Sequence, residues 1–149
     1  MKRNILFLFL IGFIVLSACE KQMTLGKLAG KWDLQYHKID GVEQDTSGGT
    51  YIEFGLFSNN GYNGGFIGKD KDPNSSGFFK ANTFEYLYFA RKNRLILIYD
   101  TGFKEEITIK KMKALPPFLS YDSEEVAKEE YMILTKDNQE LKFVKRWEE

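Results

Sequence analysis

The chain has 149 residues, with 21 basic and 21 acidic side chains and a formal net charge of zero, so it lacks the cationic excess of a nucleic-acid surface. A single cysteine excludes an internal disulfide, and a single histidine leaves little material for a metal or nucleophile–base constellation. At 43% hydrophobic and 15% aromatic residues, the chain fits one domain held together by its own core.

Met1-Lys2-Arg3-Asn4 forms a short basic head, and Ile5 to Leu16 follow without a charge. A membrane-spanning helix needs about 20 apolar residues, so this run is too short to span and has the length of an export-signal core. Ser17 and Ala18 supply the small residues that precede signal cleavage, and Cys19 comes next. The stretch Leu16-Ser17-Ala18-Cys19 resembles the lipobox of bacterial lipoproteins at all four positions. That resemblance implies a signal peptide over 1–18, a diacylglyceryl group on the Cys19 sulfur, and an acyl chain such as palmitate on the freed amine. It further implies a protein held stably in the bacterial cell envelope, because two or more acyl chains hold where one does not, and the outer membrane is the expected site. Loss of Lys2 and Arg3 with the signal leaves the remainder slightly acidic.

Residues 19–27 read as a polar tether, and a domain is expected over 28–149. Lys31 to His37 alternate, with Trp32, Leu34 and Tyr36 on one face and Asp33, Gln35 and His37 on the other, the pattern of a strand with one wet face. Asp40-Gly41 is a turn signal. Further strands are expected at Tyr51–Phe57, Phe78–Lys80, Thr83–Ala90, Arg94–Asp100, Glu105–Met112, Tyr131–Thr135 and Leu141–Trp147. The connections at Arg91-Lys92-Asn93, Thr101-Gly102 and Lys136-Asp137-Asn138 are too short for crossover helices, so neighbouring strands pair antiparallel. Glycine-dense Asn59 to Gly68 fits either a sharply bent strand or a loop. Beyond Leu115-Pro116-Pro117, Asp122 can cap a short helix near Ser123–Glu129, with Glu125 closing a capping box and Tyr121 and Val126 as a hydrophobic staple. The expected fold is all-β, an antiparallel up-and-down barrel of about eight strands with one short helix.

Leu28-Ala29-Gly30-Lys31-Trp32-Asp33-Leu34 resembles the Gly-x-Trp opening of the first barrel strand in lipocalins and lipocalin-like bacterial lipoproteins. The resemblance implies that Gly30 bends the chain into the barrel and that Trp32 plugs one end. It also implies that Trp32 packs under a basic residue from the end of the last strand, where Arg146 is the matching position. The same opening resembles META-type domains of small bacterial lipoproteins, compact β structures without an established large ligand cavity.

The lipocalin resemblance implies non-catalytic binding of a small apolar or amphipathic ligand, with Tyr36, Phe54, Tyr86 and Tyr88 as candidate contacts. The aromatic series Phe78, Phe79, Phe84, Tyr86, Tyr88 and Phe89 serves equally as ordinary core. The alternative is an interaction or inhibitor module that meets an envelope protein through Gly61 to Gly77 or Pro116 to Tyr121. Asp70-Lys71-Asp72-Pro73-Asn74 starts like a calcium loop but has Ser75 and Ala81 where an EF-hand requires glycine and glutamate, so a solvated turn is expected and no metal. Glu105-Glu106 and Glu124-Glu125 read as surface charge, because adjacent strand residues face opposite ways and the second pair opens a helix. No cofactor and no enzymatic activity are expected.

Overall fold

The computed structural model describes residues 26–55, 63–69, 79, 81–115 and 127–146, without the side chains of Asn63 and Lys69. Among the described residues there are nine strands: β1 Gly30–Ile39, β2 Val42–Glu43, β3 Thr50–Phe54, β4 Asn63–Lys69, β5 Thr83–Phe89, β6 Arg94–Ile98, β7 Lys104–Lys113, β8 Tyr131–Lys136 and β9 Gln139–Lys145. From β3 onward each pairs antiparallel with its successor, β1 pairs with β3, and β9 returns to β1. The result is one closed eight-stranded up-and-down barrel, with two-residue β2 as an appendix folded back on the end of β1. Among the described residues closure leaves no long free edge to recruit another strand.

The strands form where alternation and turn chemistry agree. Asp40 and Gly41 at the β1–β2 turn and Asp137 at the β8–β9 turn adopt positive φ, the backbone that tight hairpins require and Asp or Gly tolerate. The two turns are also joined, Asp40 N donating to the Asn138 carbonyl and Asn138 Nδ2 to Asp40 Oδ2, both at 2.9 Å.

Glycine-dense Asn63–Lys69 is a full strand. Its glycines are there for room: a Cβ on Gly65 would meet the Phe84 ring, and the Glu53 carbonyl oxygen at 2.7 Å. Of the strand expected at Phe78–Lys80 only Phe79 is described, and it lies outside the strands. Ala127–Lys128 are helical, while residues 121–126 of the expected helix fall outside the described residues, as do Cys19, Asp70–Asn74 and Pro116–Tyr121.

Inward-facing residues fill the barrel from wall to wall. Trp32, Ile52, Phe54, Ile67, Tyr86, Leu95, Leu97, Met132, Leu134 and Phe143 are each at most 2% exposed. An eight-stranded barrel has an interior just wide enough for side chains to fill, and each large apolar side chain fully buried contributes about 1.5–3 kcal/mol. Aromatic rings dominate the centre, with Phe54 meeting Tyr86 edge-on at 5.0 Å and Phe84 at 5.8 Å.

Alternation on β1 is broken once. The ladder to β9 pairs Leu34 with Phe143 and then Tyr36 with Lys142, so Gln35 is an extra residue. A bulge of this kind shifts everything after it to the opposite face. Tyr36, expected beside Trp32 and Leu34, therefore lies on the outer wall, and His37, expected on the wet face, turns inward and is 8% exposed.

Candidate functional site

Polar side chains enter the barrel at its two ends. At the base, where β1 begins and β9 ends, Trp32 Nε1 donates to the Leu28 carbonyl at 2.7 Å. The cation over the indole is Lys145, its Nζ 4.5 Å from the ring centre. The register explains why the expected Arg146 does not fill this role: Lys145 is the direct cross-strand partner of Trp32, two residues on from inward Phe143. Arg146 belongs to the outer wall, where it binds Asp33 and covers the Tyr51 ring at 5.0 Å.

Lys145 also donates to the Ala29 carbonyl. Burial pulls its ammonium below the ordinary lysine range, opposed by the charge of nearby Glu130. Gly30 makes this arrangement possible. Its φ of +103° suits glycine, and a Cβ would stand 3.0 Å from Lys145 Cε. Glu130, 1% exposed, accepts from the Leu115 backbone N–H at 2.7 Å and so ties the end of the segment that leaves β7 to the start of β8.

At the opposite end, the mouth, Glu105 points inward and is 4% exposed. It accepts hydrogen bonds from the Tyr99 hydroxyl and from Lys136. His37 Nε2 meets Gln139 Oε1 at 2.9 Å beside them. Phe79, 8% exposed, closes over this group, and with Glu105, Ile107, Leu134, Lys136, Gln139 and Leu141 it leaves a void of about 20 Å³. That is room for one water molecule.

The four candidate ligand contacts do not converge on a pocket. Phe54 and Tyr86 are core, and the Tyr86 hydroxyl donates to the Gly55 carbonyl at 2.8 Å. Burial raises the phenol pKa of Tyr86 and, less completely enclosed, of Tyr88, which is in phase with Phe84 and Tyr86 on β5 and packs against the same core. Tyr36 stands outside on the wall, its hydroxyl donating to Glu140 Oε1 at 2.8 Å. Burial and the neighbouring Glu140 carboxylate push its phenol up to about 12.

Besides Tyr36 and His37, two polar groups of this architecture differ from the sequence expectation. Glu105 is buried, where surface charge was expected, while Glu106 does face out and pairs with Arg94 at 2.6 Å. Lys145 holds the position given to Arg146. Both follow from strand parity, since Glu105 is in phase with Ile107 and Ile109, and Lys145 with Leu141 and Phe143.

The fold and its ends define the class of this protein as a closed eight-stranded antiparallel barrel with a side-chain-filled interior and polar plugs at base and mouth. No protein family, curated protein or solved structure matches this chain.

Proposed function

We propose that this protein is a lipid-anchored, non-catalytic module of the bacterial cell envelope that acts through the outside of its barrel. In this reading residues 1–18 are removed, Cys19 carries the acyl chains, and the tether presents the barrel at a membrane surface. The observation that carries the choice of the outer surface over an internal ligand is the filled interior: the described mouth leaves about 20 Å³, whereas ligand pockets run to roughly 300 Å³ or more. The same packing weighs against small-ligand contacts through Phe54 and Tyr86, which meet edge to face inside the core and are at most 2% exposed.

Expression in a bacterial host with labelled palmitate tests the anchor. Label is expected on the wild type, recovered with the membranes, and none on Cys19→Ala. A wild-type protein that takes up no label refutes the anchor. Intact-mass measurement of the native protein, isolated without detergent, addresses the surface: the reading expects no small molecule to travel with the barrel, and a stoichiometric companion refutes it.

A further inference from the structure

The outer wall built from β7, β8, β9 and β1 carries most of its charge in pairs. Lys110 reaches Glu140 at 2.6 Å, Lys113 reaches Glu129 at 3.0 Å, and Arg146 holds Asp33 at 2.5 Å. Three lysines of the same wall, Lys38, Lys111 and Lys142, have no such ion pair among the described residues. Each lies against a tyrosine ring. Lys111 Nζ and Lys142 Nζ stand 5.6 and 5.3 Å from the centre of the Tyr131 ring, and Lys38 Nζ stands 4.6 Å from that of Tyr36.

Cross-strand register joins these residues into one stripe. Lys111 is opposite Ile133, Ile133 is opposite Lys142, and Lys142 is opposite Tyr36. Two acids border the stripe at its Lys38 end: Glu43 of β2 and Glu140 of β9 are the cross-strand neighbours of Lys38. Both oxygens of Glu140 are engaged, Oε1 by the Tyr36 hydroxyl and Oε2 by Lys110, so Lys111 and Lys142 carry the uncompensated charge. Two ammonium groups on one ring repel each other, and at an exposed site the ring holds them only weakly. A slightly acidic protein that gathers three such lysines on one wall has the surface an anion complements.

The position of the anchor selects the anion. Cys19 is seven residues before Gly26, at the base of the barrel, and a chain of that length reaches at most about 25 Å. The wall is therefore held within reach of the bilayer, where lysine and tyrosine suit the level of the lipid headgroups. We propose that the stripe Lys111, Tyr131, Lys142, Tyr36 and Lys38 lays the side of the barrel on anionic phospholipid headgroups. The proposal rests on the reading of Cys19 as lipidated.

The test uses the full lipidated protein reconstituted into vesicles of phosphatidylcholine, or of the same lipid with roughly a third phosphatidylglycerol, and labelled with a membrane-impermeant amine reagent. Labelling at Lys38, Lys111 and Lys142 is expected to fall about fivefold in the anionic vesicles, the factor given by about 1 kcal/mol per lysine near an anionic surface. High salt should restore it, and Lys92 on the β5–β6 turn should label equally in both. Equal labelling of Lys111 and Lys142 in the two vesicle types overturns the proposal. Failure of the anchor shows separately, as protein that does not float with phosphatidylcholine vesicles. In that event flotation with anionic vesicles that is lost in a Lys111→Gln/Lys142→Gln variant supports the stripe, and no flotation overturns it.

Discussion

Lys136→Met removes the cation from a carboxylate that is almost wholly shut off from bulk solvent. Glu105 is 4% exposed, and its two oxygens are held by the Tyr99 hydroxyl and the Lys136 ammonium. The Lys136 side chain is 30% exposed, so it can turn outward if its partner is lost, and Glu105 cannot. Removing one member of a buried pair costs about 3–5 kcal/mol when it strands the other charge. Lys136→Met should therefore destabilise by about 3 kcal/mol at neutral pH. Glu105→Gln keeps an acceptor for Tyr99 and leaves a lysine that can hydrate, and should cost about 1 kcal/mol. A Glu105→Leu/Lys136→Met double variant, with no stranded charge, should be more stable than Lys136→Met alone. Urea unfolding followed by tryptophan fluorescence measures all three. Equal losses for the two single variants, or a larger loss for Glu105→Gln, would refute the reasoning.

Gly30→Ala should destabilise by about 2–4 kcal/mol, because it combines a disallowed φ, worth about 1–3 kcal/mol, with displacement of Lys145 from the indole and the Ala29 carbonyl. Thermal unfolding within experimental error of wild type would count against it, and a Lys145→Ala background should relieve part of the loss. Alkaline pH should also weaken the fold. The Tyr36 phenol, ordinarily at 10.0, is held at about 12, so the folded protein keeps a proton that the unfolded chain releases. The associated stability is whole below pH 10 and disappears as pH climbs to 12. Tyr36→Phe should flatten that part of the stability–pH curve, and an unchanged slope would show that Tyr36 is not its source.

Much of this was legible in the sequence. Seven of the eight barrel strands follow from alternation and turn residues, as does their antiparallel sequence. β4 was ambiguous because Gly64, Gly65 and Gly68 supply no alternating side chains, and what calls for glycine at 65 and 68 is space for Phe84 and for Tyr51 and Phe66, known only once the sheet is assembled. The core aromatics were legible as aromatics, but whether they surround a cavity is a matter of packing across the barrel. Phe79 shows the difference most plainly. Its role is to close the mouth, and no local pattern distinguishes that from the next residue of a strand.

The remaining misreading, which face Tyr36 and His37 take, has a cause that extends to the proposed membrane surface. β7 carries a second bulge, the ladder to β8 passing from Ile109–Leu134 to Lys111–Ile133 with Lys110 extra. Regular alternation on β1 would carry Tyr36 and Lys38 inward after Trp32 and Leu34. On β7 it would carry Lys111 and Lys113 inward after Ile107 and Ile109. An unpaired ammonium in that interior costs several kcal/mol, so the unbulged register is untenable on both strands. The bulges turn His37 and Met112 to the inside and put Lys38, Lys111 and Lys113 on the wall. Lysines that violate the parity set by the preceding apolar residues thus mark where the backbone must gain a residue. The stripe on the outer wall is the direct product of these two shifts, because of its lysines only Lys142 would face outward without them.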